Sequence, residues 1–281
     1  MKNISKYKVD KGILIPMILF AIISVVTIYS AQSLLGADMQ NLALKQVIWY
    51  VIGFLIAYFI MFIGNDFIYR NIWILYGLGV LSLLGLFFFG TSINDAKCWY
   101  TLPWNLGTIQ PSEFMKIILI MTLGSMIQKF NENFDNPSVM EEFKFLIKVG
   151  IVVGIPSILT FLQPDTGVVL IYLLITIVML FISGIRYRWF ALLFGICAFV
   201  IAIILGIYFI SQDLFVKIFG TSFFLRIDRL LDWSNGSGYQ LENGISAIGS
   251  AGLFGHGFNN TPVYFPEPQT DFIFAVFGSN F

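Results

Sequence analysis

GVVLIYLLITIVMLFISG, residues 167–184, is an uncharged apolar run of the length a membrane span needs. A spanning helix takes about 20 mostly apolar residues. Working outward, the run is preceded by the polar turn Gln163-Pro164-Asp165-Thr166 and followed by Arg186 and Arg188. Similar runs occupy 13–33, 46–64, 72–90, 111–128, 146–163 and 189–211, and an eighth begins near Asp271. Backbone polar groups cannot stay unpaired in hydrocarbon, so each run is expected to be a helix. The expected fold is therefore an all-α polytopic transmembrane helix bundle. It has seven complete spans, the start of an eighth, and a large extracellular loop, 212–270, between spans seven and eight. Residues 1–281 read as a single integral membrane domain.

Composition agrees. The chain is 58% hydrophobic and 11% charged, whereas soluble domains carry about 25% charged residues. A net charge of zero excludes the basic footprint of a nucleic-acid-binding protein. Cys197 lies in an apolar run and Cys98 in a loop, so no disulfide framework is expected. The basic start Lys2, Lys6, Lys8 and Lys11 precedes a run too long for a signal-peptide core of about 7–15 residues, and it reads as a retained span.

Lysine and arginine set the orientation. With the N-terminus in the cytoplasm, inside segments hold Lys2, Lys6, Lys8, Lys11, Arg70, Lys129, Lys144, Lys148, Arg186 and Arg188. Outside segments hold Lys45, Lys97, Lys217, Arg226 and Arg229. Ten against five places the N-terminus in the cytoplasm. Loops 91–110 and 212–270 and the 163–167 turn then face outward, while 129–145 reads as a plain inner connection.

Charges are missing from the span centres, which weighs against a proton-coupled transporter or ion pump. Polar residues gather instead at the outer span ends. Asp95-Ala96-Lys97-Cys98-Trp99-Tyr100 precedes Gln110-Pro111-Ser112-Glu113-Phe114-Met115-Lys116. Pro111 suits a first helical turn, and Glu113 and Lys116 are spaced to share a face. That spacing equally describes a capped helix start with a local ion pair. Trp99 and Trp104 equally describe interfacial belt aromatics, and Gln163-Pro164-Asp165 a helix–helix turn. The glycines at 244, 249, 252, 255 and 257 lack a P-loop ending and indicate a tight, re-entrant or close-packed loop. His256 is the single histidine, and no metal-site spacing is present. Asp271 follows the rigid Pro266-Glu267-Pro268 and opens an apolar segment. A carboxylate at such a rim suits a general base, or a helix-start carboxylate held by the dipole.

Taken in order, these segments resemble the SEDS family (shape, elongation, division and sporulation), the RodA/FtsW type of peptidoglycan glycosyltransferase. The matching pieces are Ala96-Lys97-Cys98-Trp99, Gln110 to Lys116, Leu162 to Gly167, Arg226, Gly238-Tyr239-Gln240, Ala247 to Gly257 and Pro266 to Ala275. The resemblance implies polymerisation of lipid II into undecaprenyl-linked glycan at the outer face of the bacterial cytoplasmic membrane. It implies a class B penicillin-binding protein as partner. Asp271 matches the family's essential loop aspartate. Trp99, Glu113, Lys116, Gln163, Asp165 and Arg226 match other characteristic positions, with Trp99 a groove or partner residue and the others, together with Lys97, binding substrate. Lys116, Lys97 and Arg226 are the available donors to a pyrophosphate. A divalent cation, Mg or Mn, is implied by the family alone. The phrasing of 110–116 and 163–167 leans to the elongation type over the division type. The family has about ten spans, so the chain reads as lacking its last helices, which would leave the cavity open on one side. Gly278-Ser279-Asn280-Phe281 stands where the family usually places an acidic pair. The alternatives are a lipid-precursor flippase, which predicts charges through the membrane depth, and a non-catalytic scaffold of the cell-wall machinery.

Overall fold

The computed structural model describes residues 10–35, 41–93, 96–103, 106–221, 223–225, 227 and 239–281. Helices stand at every expected run. They are α1 (Lys11–Ala31), α2 (Leu42–Ile63), a short α3 (Asn65–Arg70), α4 (Ile72–Phe89), α5 (Pro111–Asn133), α6 (Val139–Leu162), α7 (Thr166–Ile182) and α8 (Tyr187–Ile210). Further along come α9 (Gln212–Phe219), α10 (Tyr239–Ser250) and α11 (Ile273–Asn280). By length and composition, α1 with the turn after it, α2, α4, α6 and α8 are long and apolar enough to cross a membrane. The apolar α7 is shorter, and α5 carries Glu113, Lys116, Lys129 and Glu132 toward its ends.

Three expectations need correction. The 91–109 loop is not irregular: it folds as β1 (Thr91–Ile93), β2 (Ala96–Thr101) and β3 (Thr108–Ile109), an antiparallel sheet in the order β1-β2-β3. Thr91 pairs with Trp99 and Tyr100 with Ile109. The fold remains that of an all-α membrane protein, with this one small sheet between α4 and α5 in the chain, and Cys98 sits on a strand. The paired residues are only a few positions apart, as in Thr91 with Trp99, but strands of two to six residues are too short to show an alternating pattern. The inner connection 129–145 shrinks to 134–138, because α5 runs to Asn133 and α6 starts at Val139 under a capping box. Ser138 Oγ accepts from Glu141 N and the Glu141 carboxylate accepts from Ser138 N, satisfying donors that a helix start leaves open. Finally, the 212–270 segment contains α9 and α10 rather than loop alone.

The chain divides into two compact units, residues 59–198 and residues 1–58 with 199–281. In the first, α4, α5, α6 and α7 pack around Leu83, Leu86, Met115, Leu119, Leu123, Val149 and Tyr172, all almost completely buried. Phe130 stacks on Phe145 with ring centroids 4.3 Å apart. In the second, Ala31, Ala247, Phe265, Ala275 and Val276 form a smaller core. Gly244 lets α10 approach α11: a methyl group there would meet the Phe272 ring at 3.0 Å. Gly255, at φ +67°, lies against the Asn280 carbonyl and has no room for a side chain. Close packing thus holds at Gly244 and Gly255, whereas Gly249, Gly252 and Gly257 have open space around them.

Candidate functional site at the start of α5

Six of the candidate residues lie in the unit 59–198, on three converging pieces: β2, the first turns of α5, and the α6–α7 turn. The convergence follows from short links. Pro111 starts α5, where its missing N–H costs nothing and its fixed φ favours the helix. Asp165 is the N-cap of α7, and its Oδ1 accepts from Val168 N at 3.2 Å. Its other oxygen, Oδ2, accepts from Gln110 Nε2 at 2.6 Å, so one carboxylate ties the start of α5 to the start of α7. Gln163 is buried and donates Nε2 to Leu83 O at 2.8 Å, while its own carbonyl accepts from Cys98 Sγ. Tyr172 Oη donates to Ser112 O at 3.0 Å.

The charged residues are placed differently. Lys116 Nζ lies 2.7 Å from Glu113 Oε2, with the side chains 21% and 51% exposed. The expected shared face is therefore present, and the pair stays within reach of solvent. Lys97 donates to Phe87 O at 2.8 Å, a carbonyl in the last turn of α4, where a cation offsets the helix dipole. An ammonium has three N–H donors, so both lysines keep donors for a further acceptor. Trp99 is half-buried on β2. Ser112 Oγ and Gln163 Oε1 are buried and lack hydrogen-bond partners among the described residues. Buried polar atoms are ordinarily paired, so these two stand ready for water or a ligand group. Burial, reinforced by the Asp165 charge, pushes the Cys98 thiol up to about 11. Cys98 is thus an inert packing thiol, and both cysteines are free.

Asp271 belongs to the other unit. It is exposed, in the turn just before α11. The preceding loop is braced from Glu267, whose backbone carbonyl accepts from Thr270 N and Phe272 N and whose carboxylate accepts from Gln269 Nε2 at 2.8 Å. Asp271 itself makes no hydrogen bond or ion pair among the described residues. His256 Nε2 and Ser250 Oγ are 3.0 Å apart. Arg226, Trp104 and Asp95 lie outside the described residues, as does Gly238 of the Gly238-Tyr239-Gln240 piece. Among the described residues no three His, Cys, Asp or Glu side chains gather as a metal-binding set.

Sequence reasoning missed two features. Gln110 was read only as part of a motif, yet it holds Asp165. Glu142, in the supposedly plain inner connection, is 1% exposed and is clamped by Arg186 Nε at 3.2 Å, Arg188 Nη2 at 3.9 Å and Trp189 Nε1 at 2.7 Å. The one available signal was the pairing of an acidic α6 start with the basic Arg186-Tyr187-Arg188.

An apolar multi-pass helix set with polar side chains massed at one end of α5 defines the class, a polytopic membrane protein. The sequence model of the FtsW/RodA/SpoVE family, described as cell cycle protein, matches residues 11–281. The chain belongs to that family. It is similar to the probable peptidoglycan glycosyltransferase FtsW of Wigglesworthia glossinidia brevipalpis, with 31% identity over 96% of this chain and 68% of the relative. The probable peptidoglycan glycosyltransferase FtsW of Buchnera aphidicola is 29% identical over 86% of this chain and 60% of its own length. The peptidoglycan glycosyltransferase MrdB of Helicobacter pylori is 30% identical over 85% and 60%. The chain spans 60–68% of the length of these curated relatives. Among solved structures, a chain of a peptidoglycan synthase complex described for coordination of polymerization and crosslinking superposes with a TM-score of 0.68 at 19% identity, covering 97% of this chain and 71% of that one. The rod shape determining protein RodA of Thermus thermophilus gives 0.55 at 18% identity, covering 98% and 82%. These likenesses establish the fold.

Proposed function

We propose that this protein is a peptidoglycan glycosyltransferase that polymerises lipid II at the outer face of the cytoplasmic membrane. The observation that carries the reading is family membership across residues 11–281, with relatives named as FtsW and MrdB glycosyltransferases. The site chemistry is compatible. Asp271 is proposed to take the proton from the 4-hydroxyl of the acceptor GlcNAc. That oxygen forms a bond to the anomeric carbon of the donor chain as the bond to undecaprenyl pyrophosphate breaks. The donor linkage is α and the product β, so one inverting displacement suffices and no covalent enzyme intermediate forms. Lys97, Lys116 and Arg226 are assigned to the pyrophosphate, Glu113 to orienting Lys116, Gln163 and Asp165 to shaping the substrate site, and Trp99 to the groove or partner.

The accompanying reading has seven spans, the start of an eighth and a single membrane domain. The N-terminus is cytoplasmic, the 212–270 segment lies outside, and a class B penicillin-binding protein is the cross-linking partner. An elongation role is favoured by the phrasing of 110–116 and 163–167; round cells on depletion support it, and filaments assign the division role. The test is glycan synthesis from purified lipid II by the full-length protein with its synthase partner. A positioned base contributes about 10²–10⁴-fold, so Asp271→Asn is expected to lose nearly all polymerisation. Near-normal synthesis by a folded Asp271→Asn protein leaves Asp271 a helix-start carboxylate.

A further inference from the structure

At the end of α5 away from Lys116, a cavity of about 480 Å³ opens between α4, α5 and α6. Its apolar wall includes Trp73, Phe130, Phe145 and Ile151, and its polar members include Lys129 and Lys148. Trp73 is 46% and Ile151 56% exposed, so the apolar wall is open sideways. Lys129 and Lys148 are exposed and form no ion pair among the described residues. Among the described residues no carboxylate lines the cavity. The neighbouring Glu132 is occupied by Gln128 Nε2 at 2.8 Å on its own helix. Two unpaired cations above an aromatic trough are complementary to an anionic head on an apolar tail.

We propose that this groove binds an anionic glycerophospholipid, with its phosphate between Lys129 and Lys148 and an acyl chain against Trp73 and Ile151. The setting favours lipid over other anions. α4 and α6 are long and apolar enough to cross a membrane, so the medium beside the groove is hydrocarbon grading into headgroups. Lysines near span ends extend toward that boundary, and basic pockets between spans hold anionic headgroups. Inorganic phosphate satisfies the lysines and leaves the aromatic wall in water. A peptide strand there leaves backbone groups unpaired at membrane depth. Lys116 and Lys129 are thirteen residues apart, roughly 20 Å along α5, so the groove is separate from the Glu113–Lys116 pair. The proposal rests on the membrane reading of these helices and not on glycosyl transfer.

The experiment places the full protein in nanodiscs of phosphatidylcholine doped with phosphatidylglycerol and counts retained lipids by native mass spectrometry. Phosphatidylglycerol is expected to be enriched over phosphatidylcholine. Each lysine near an anionic headgroup is worth about fivefold, so Lys129→Gln with Lys148→Gln should lower the enrichment about 25-fold, and the Lys→Arg pair should keep it. Equal retention of both lipids, unchanged enrichment in the Gln pair, or displacement of phosphatidylglycerol by millimolar inorganic phosphate overturns the proposal. A second measurement covers misfolding of the variant. Brominated-acyl phosphatidylglycerol should quench the emission of the wild-type protein, in the component lost in Trp73→Phe, more strongly than brominated phosphatidylcholine does. Equal quenching by the two lipids also overturns it.

Discussion

Asp165 accepts from Gln110 at 2.6 Å while capping α7 through its other oxygen, so one carboxylate joins two helix starts 55 residues apart in sequence. A lost N-cap costs about 1 kcal/mol, and a lost hydrogen bond to a charged group about 1.5–3 kcal/mol. Asp165→Ala is therefore expected to destabilise the protein by about 2–4 kcal/mol, read as a lower midpoint of thermal unfolding in detergent. Gln110→Ala should lose only the second part. Equal midpoints for wild type and both variants would remove the carboxylate from the fold's supports.

The Glu113–Lys116 pair separates stability from function. An exposed i,i+3 pair contributes only about 0.2–0.5 kcal/mol, a small part of the stability of a folded chain. Lys116→Met should keep expression and unfolding midpoint while lowering glycan synthesis on the order of tenfold or more. Normal synthesis in that variant makes the pair a local ion pair at a helix start.

Cys98 gives a pH test. Its thiol is held at about 11 by burial first and by the Asp165 charge second, against about 8.5 for a free cysteine. At pH 8, with Cys197 replaced, alkylation of the native protein should be on the order of a hundredfold slower than that of the unfolded chain. The sign for stability follows. The neutral thiol's contribution is fully present below the unfolded value and is lost as pH rises through about 11. Asp165→Asn should bring the native thiol down; an unchanged alkylation profile in that variant contradicts the coupling.

Glu142 is buried while Arg186 and Arg188 are 42% and 50% exposed. Breaking a fully buried pair costs about 3–5 kcal/mol, and solvent at the arginines reduces this to about 1–3 kcal/mol. Glu142→Ala should lower the unfolding midpoint more than Glu142→Gln, because Gln can still accept from Trp189. Identical midpoints for the two variants would mean that the Trp189 contact contributes nothing.

The apolar helices were legible in the sequence because the hydropathy of a run such as 72–90 is a sum over its own residues. The helix start at Pro111 and the Glu113–Lys116 contact were legible for the same reason: their partners lie within one turn. Family motifs marked Gln163 and Asp165, but not what they bond. Gln163 reaches Leu83, 80 residues away, and Cys98 reaches back to Gln163. The clamp on Glu142 likewise joins it to Trp189, 47 residues on. Such partners are selected by which helices pack together, a free energy that no single segment contains, and only the tertiary structure decides them.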